Sequence, residues 1–367
     1  MRTSQAPKYL ALARYFQQRI RSGELRPGDR LPSFKQMRAR FGATPSTVER
    51  LYAQLERENL IERHHRRGVF VAGAPGRSTL QGTLGFAAVR FSGPQLHPYN
   101  HYLLQGIQQA ARAAGVQILL LDRSDINANR NKIDGLLIYE HELGPFAKYR
   151  AEGVPCVSLV KRADEIPSVV ADDFKGGKSA TEYLLALGHT RIAALVGTAA
   201  GDIHDALGAL RLEGYRAALR EAGIAPETRF VRPVLYNPLE NYAERGHSLM
   251  RRWLREDWHE LGCTAILAQN DNVAIGIIRA LREDGREVPR DVSVVGFDGA
   301  GADMHFAPRL TTVEVPLQEI GARGTQLLLQ QIGGERDVQH LVLPTKLRTG
   351  QSSAPSGVLA EPPAGRL

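Results

Sequence analysis

Cysteine is scarce, with Cys156 and Cys263 the two thiols in 367 residues, far apart and each in an apolar segment. A disulfide framework or a cysteine metal site needs more thiols at closer spacing, so both read as buried and reduced. No run of about 18 apolar residues occurs, which leaves nothing to cross a bilayer as a helix. The opening MRTSQAPKYLALARYFQQRI carries charges where a signal peptide needs an unbroken apolar stretch. A cytoplasmic protein is expected. Catalytic signatures are missing as well: there is no G-x-S-x-G elbow, no H-E-x-x-H and no C-x-x-C. Gly177-Lys178-Ser179 matches the end of a phosphate-binding loop, but Asp172 stands where that loop needs its first glycine. The eleven histidines show no ligand spacing apart from adjacent His64 and His65, which cannot easily face one metal from a strand. Neither an enzyme, a cofactor nor a metal is expected.

What is present is an uneven charge. Residues 1–80 hold 16 Lys plus Arg against 6 Asp plus Glu, and the remaining residues hold 31 against 33. The whole net charge of +8 is thus owed to the first part of the chain. Such a field attracts polyanions, nucleic acid above all. The length suits roughly two or three domains, with ample apolar content for real cores.

Within the basic part, Leu31 to Arg50 reads LPSFKQMRARFGATPSTVER. Pro32 and Ser33 are helix-start signals, and Phe41-Gly42 ends that helix, because glycine tolerates the left-handed backbone of a sharp turn. Thr44 and Pro45 then supply an N-cap and a first-turn proline for a second helix. Val48, Leu51, Tyr52 and Leu55 are spaced to bury one side of it. Helix, glycine turn, helix with hydroxyls and cations outward is the layout of a DNA-reading pair, although a plain helical hairpin has the same spacing. An earlier helix spans residues 7–22. After the second helix, Ile61 to Val71 reads as two short strands joined by a basic turn, a wing.

Residues 7–72 resemble the winged helix-turn-helix of the GntR family. The carriers are Ile20-Arg21-Ser22-Gly23-Glu24-Leu25-Arg26-Pro27-Gly28-Asp29-Arg30-Leu31-Pro32-Ser33 and Arg66-Arg67-Gly68-Val69-Phe70-Val71-Ala72. The resemblance implies DNA contacts at Lys35, Thr44, Ser46, Thr47, Arg66, Arg67 and Gly68. Pro45 and Glu49 stand where the family usually has arginines, so Arg50, Lys35 and the wing are expected to carry more of the grip. Glu49 either accepts from cytosine N4 or pairs on the surface with Arg50 or Arg38; the surface pair is favoured.

A linker follows at 73–82, GAPGRSTLQG. From Thr83 onward, apolar runs of four to six residues alternate with helical segments, which predicts an α/β domain of two lobes with parallel sheets over 83–350. Asp122, Lys161, Gly197, Gln269 and Asp298 all fall just past predicted strands, the ligand-binding edge of such sheets. Residues 351–367 read as a disordered tail. This second region resembles the ligand-binding domain of the LacI family and, more distantly, periplasmic sugar-binding proteins. The carriers are Gly188-His189-Thr190-Arg191-Ile192, Arg211-Leu212-Glu213-Gly214-Tyr215, Asn270 to Gly276, Val288 to Asp298 and Leu310 to Val313. The match implies an effector between the lobes, held by Tyr99, Asn100, Lys161, Arg211, Asn270, Asp271 and Asp298. Between Leu121 and Asp134 the family's full second helix is replaced by DRSDINANRNKI, so the first lobe is abridged.

Each residue has a structural alternative. Asp298 could cap a turn, Arg211 could pair with Glu213 or Glu182, and Asn270-Asp271 could simply start a helix. The two resemblances together imply a repressor, a homodimer on a palindromic double-stranded operator, controlled by a sugar-like effector. The alternative is a soluble sugar-binding module whose basic head, residues 1–72, serves another anionic partner such as RNA.

Overall fold

The computed structural model describes residues 8–21, 24–25, 29–58, 60–64, 68–71, 82–88, 98–122, 126–139, 144–159, 161–162, 165–196, 206–234, 241–301, 307–335 and 337–357. The chain divides into two compact units at Gln81 and Gly82. In the head, helices α1 (Lys8–Arg21), α2 (Phe34–Phe41) and α3 (Pro45–Arg57) precede the strands β1 (Ile61–His64) and β2 (Gly68–Val71). The strands pair antiparallel, Ile61 opposite Val71.

Local chemistry sets the helix ends. Ser33 and Gln36 form a reciprocal capping box at the start of α2, and Gly42 stops it in the left-handed region at φ 56°. Thr44 accepts from the Thr47 N–H and Pro45 opens α3. Met37, Val48, Leu51, Tyr52 and Leu55 then bury one face of the helix pair together with Phe16 of α1 and Val71 of the wing. Glu49 pairs with Arg63 of β1 at 2.6 Å, and Arg63 also reaches Glu56 at 3.1 Å. The surface pair expected with Arg50 or Arg38 is therefore made with the wing strand, because the hairpin folds back along α3.

The second unit contains two sheets. Strands β3 (Thr83–Ala88), β4 (Gln117–Leu121), β5 (Gly135–Tyr139), β6 (Cys156–Ser158), β7 (Ser168–Ala171) and β12 (His340–Leu343) form the first, all parallel, in the order β12-β7-β6-β5-β3-β4. Strands β8 (Ile192–Leu195), β9 (Ala265–Ala268), β10 (Ser293–Asp298), β11 (Thr311–Glu314) and β13 (Lys346–Arg348) form the second, parallel except for β13. The flanking helices are α4 (Pro98–Ala113), α5 (Ile126–Asn129), α6 (Gly144–Ala151), α7 (Asp173–Ala186), α8 (Ala206–Glu221), α9 (Tyr242–Glu256), α10 (Trp258–Leu261), α11 (Asp271–Glu283) and α12 (Leu317–Ile332). The chain changes lobe after β7, after β11 and after β12. The four-residue α5 is all that stands between β4 and the 3-10 turn at Arg130–Lys132.

Helix pairs cross at backbone distance through reciprocal glycines. A Cβ on Gly177 of α7 would lie 2.2 Å from the Arg211 carbonyl oxygen of α8, and one on Gly214 of α8 would lie 2.1 Å from the Phe174 oxygen. Gly106 and Gly321 do the same for α4 and α12, and Gly246 and Gly276 for α9 and α11. The glycine of Gly177-Lys178-Ser179 is thus a packing residue, which accounts for that fragment without a phosphate.

The expected tail from residue 351 is corrected for its first part. Ser352 is fully buried, accepts from the Thr311 N–H at 2.9 Å and donates to the Val294 oxygen at 2.6 Å, fastening β10 to β11. His189 bridges Thr264 Oγ1 and the Ala354 oxygen, at 2.8 and 2.9 Å, so it anchors this segment as well as its own turn. Residues 358–367 lie outside the described residues. Ser352→Ala strands one buried donor and one buried acceptor; denaturant unfolding is expected to show a loss of about 1–3 kcal/mol. An unchanged midpoint would rule that role out.

Candidate functional site

On the head, Lys35, Ser46, Arg50 and Thr44 are exposed and Thr47 is half-buried. Thr44 Oγ1 lies 3.1 Å from Ser46 Oγ and 2.8 Å from Thr47 Oγ1, so the N-cap gathers the three hydroxyls at the start of α3. Gly68 begins β2 at φ 118°, a conformation open to glycine and hostile to most side chains. Arg66 and Arg67 lie outside the described residues. Lys35 stands on the first turn of α2, whose neighbours Arg38 and Arg40 are also exposed. Phe34 is 46% exposed and meets Tyr52 edge-on at 6.0 Å.

In the second unit the geometry converges on Arg211. This guanidinium is buried on α8, and its Nε donates to Asp173 Oδ1 at 2.8 Å. One terminal nitrogen donates to the Gln269 carbonyl and the other to Asp298 Oδ1, the latter at 3.2 Å. The Phe297 ring lies beneath the plane, 3.7 Å from Cζ. Burial by itself would lower the Arg211 pKa, but the Asp173 and Asp298 carboxylates outweigh it and hold the group firmly charged. Asp298 is the last residue of β10 and sits at φ 99°, strain of about 1–3 kcal/mol that the surrounding contacts impose. None of the partners weighed for Arg211, Glu213 or Glu182, is used. Asp298 spends an oxygen on the guanidinium.

From the other lobe, Tyr99 of α4 stacks on Tyr139 of β5, centroids 5.2 Å apart and planes 25° from parallel. Burial, chiefly, and then the charges of Asp298 and Asp173 raise the Tyr99 pKa well above its ordinary value. Tyr139 is raised likewise by burial, then by Tyr99 and Asp298. Both phenols therefore stay protonated at neutral pH, and both feel the Asp298 charge.

The remaining candidates have contacts of their own. Asn270 is the N-cap of α11, its side chain accepting from the Val273 N–H at 2.9 Å, so it does start a helix. Asp271 accepts from Thr312 Oγ1 at 2.5 Å and packs under Gly296, tying α11 to β10 and β11. Asn100 is buried on α4 beside Tyr99. Lys161 is half-buried in the β6–β7 connection, its N–H 3.4 Å from Ser158 Oγ. The LacI-type match would put Lys161 in the first crossover between lobes, but the β6–β7 connection stays within one sheet and the first crossover is Ala171 to Asp173. Asp173, Tyr139 and Phe297 were missed by sequence reasoning. Tyr139 ends β5, Asp173 follows β7 and Phe297 is the last residue but one of β10, and that position was the available signal. Gly197 lies outside the described residues, as do linker residues 73–81. Among the described residues, no group of three His, Cys, Asp or Glu side chains could hold a metal, and no helix is long and apolar enough to cross a membrane.

Residues 8–71 match the family profile of bacterial regulatory proteins of the gntR family. Residues 181–353 match the periplasmic binding protein-like domain. Over 355 residues the chain is 26% identical to the arabinose metabolism transcriptional repressor of Geobacillus stearothermophilus, covering 90% of this chain and 93% of that repressor. It is 29% identical over 251 residues to the ribose operon repressor of Escherichia coli (strain K12), covering 64% of this chain and 72% of that one. Among solved structures, the transcriptional regulator CelR in complex with cellobiose superposes with a TM-score of 0.65 at 25% identity, over 96% of this chain and all of that one, 100%.

Proposed function

We propose that this chain, a GntR-type helix-turn-helix head joined to a periplasmic-binding-protein-like domain, is a transcriptional repressor whose hold on a DNA operator is set by a small polyhydroxylated effector. The observation that carries the sensing half is Arg211 between Asp173 and Asp298, whose charges are felt by the stacked Tyr99 of the other lobe. A sugar hydroxyl both donates and accepts, so a fixed guanidinium and two carboxylates can take neighbouring hydroxyls while aromatic rings cover the apolar face of the ring. The arabinose, ribose and cellobiose in the relatives' names belong to this chemical class. Tyr99, Arg211 and Asp298 are assigned to the effector with Asp173 and Tyr139. Asn100 and Lys161 line its approach, and Asn270 and Asp271 position α11 beside it.

The mechanism is linkage. Effector draws the lobes together about the three chain crossovers, and in a homodimer the spacing of two heads ceases to match a palindromic site. A fluorescence titration of the chain on its own upstream duplex, with pentoses, hexoses and disaccharides added in turn, tests this. Affinity indifferent to every one of them would remove the sensing half.

The DNA half assigns Lys35, Thr44, Ser46, Thr47, Arg50, Arg66, Arg67 and Gly68 to the operator. Lys35→Ala is expected to weaken binding uniformly across sequences and to flatten the log K against log salt slope by about one unit, the signature of one lost phosphate contact. A slope equal to the wild-type value would count against that role. No observation favours the RNA-binding alternative.

A further inference from the structure

We infer that Arg30 is an additional DNA-contacting residue of the head, one that makes up for the cations missing from α3; the inference rests on the DNA-binding reading above. The recognition helix is poor in positive charge where it matters. Pro45 brings none, Glu49 brings the opposite sign, and Arg63 of the wing strand is held between Glu49 and Glu56 at 2.6 and 3.1 Å. Arg50 is the one cation of α3 assigned to the operator, so further phosphate contact must come from outside the helix.

Arg30 is built to supply it. The segment Asp29 to Leu31 adds a short third strand to the wing: Arg30 bridges Phe70, the Leu31 N–H donates to the Val69 oxygen at 2.8 Å, and the Val71 N–H donates to the Asp29 oxygen at 2.8 Å. The side chain leaves this strand toward the turn end of the wing, at Gly68. A Cβ on Gly68 would lie 2.8 Å from Arg30 Nε and 3.1 Å from Nη2, so the missing side chain at Gly68 is what gives the guanidinium its seat. The residue remains exposed.

The same side chain borders an open groove of about 750 Å³ that also takes in Ser33, Lys35, Gln36 and Arg40. Arg30, Lys35 and Arg40 line it and, among the described residues, no carboxylate does. In helix-turn-helix heads the first helix of the pair lies across the phosphate backbone. A groove along α2 with cations and amide donors, and no acid to repel, fits a run of phosphodiesters. The planar fork of Arg30 can take two oxygens of one phosphate. Strand placement fixes the stem, so less freedom is lost on binding than by a cation on a loop.

The test compares Arg30→Ala and Arg30→Lys in the full chain, on the upstream duplex and on a random duplex over a range of salt. Arg30→Ala is expected to bind the upstream duplex roughly tenfold more weakly and to lower the salt slope by about one unit. Arg30→Lys should keep the slope, and both variants should melt with the wild type. A wild-type slope in Arg30→Ala, or a lowered melting temperature as its only effect, overturns the inference while leaving the DNA-binding reading intact. A wild-type chain that prefers neither duplex overturns that reading itself, and this inference with it.

Discussion

Arg211→Met is expected to lose the effector response entirely and to unfold at lower denaturant, with a loss of about 3–5 kcal/mol. Methionine keeps much of the stem's length and packing on Phe297, so the change isolates the charge and its donors. Asp173 and Asp298, both buried, are then left without the guanidinium they share. Uncompensated buried carboxylates account for the stability loss. Missing donors account for the lost response. The two effects separate in the triple variant with Asp173→Asn and Asp298→Asn, where the charge cost disappears: stability should return in large part while the duplex titration stays indifferent to sugar. Wild-type stability in the single variant would show the ion pairs to be unimportant, and a retained response would remove Arg211 from the effector site.

Gly177→Ala is the second substitution with a large expected effect, because a single methyl group meets backbone. The new Cβ would stand 2.2 Å from the Arg211 oxygen and 2.8 Å from its Cα, and neither can rotate away. Helices α7 and α8 must separate, and they carry Asp173 and Arg211 respectively. Overpacking of this kind costs about 1–3 kcal/mol, and here it also displaces the guanidinium relative to its carboxylate. Effector affinity should fall along with stability. Gly276→Ala is the comparison, since its Cβ would lie 2.0 Å from the Ala243 oxygen, in the α9–α11 crossing, which carries neither Asp173 nor Arg211. It should unfold as easily and respond to effector nearly as well as the wild type. Equal loss of response in both variants would reduce Gly177 to a residue of general stability.

Much of the head was legible because its signals are local. Ser33, Gly42, Thr44 and Pro45 act on the backbone within a turn of where they stand, and the α3 stripe from Val48 to Leu55 needs only helical spacing to declare its buried face. The partner of Glu49 was not legible. Fourteen positions separate it from Arg63, and they meet only once the wing has folded back along the helix. Strands β12 and β13 are three to four residues long and gain their identity from the neighbours they pair with.

For the effector site, the sequence by itself determined that ligand chemistry belongs at strand ends, since Asp298, Gln269 and Lys161 follow apolar runs whatever their neighbours are. Which of those ends face one another was decided by tertiary structure alone. Arg211 meets Asp173 across 38 positions and Asp298 across 87, distances at which spacing carries no information. The order of strands in two sheets, together with glycines that let α7 and α8 touch, brings them within hydrogen-bond reach. Asn270 differs, because its N-cap bond to the Val273 N–H is local, whereas Asp271 meets Thr312 across 41 positions. Burial made the remaining difference, because only a charge removed from water is compelled to find a fixed partner.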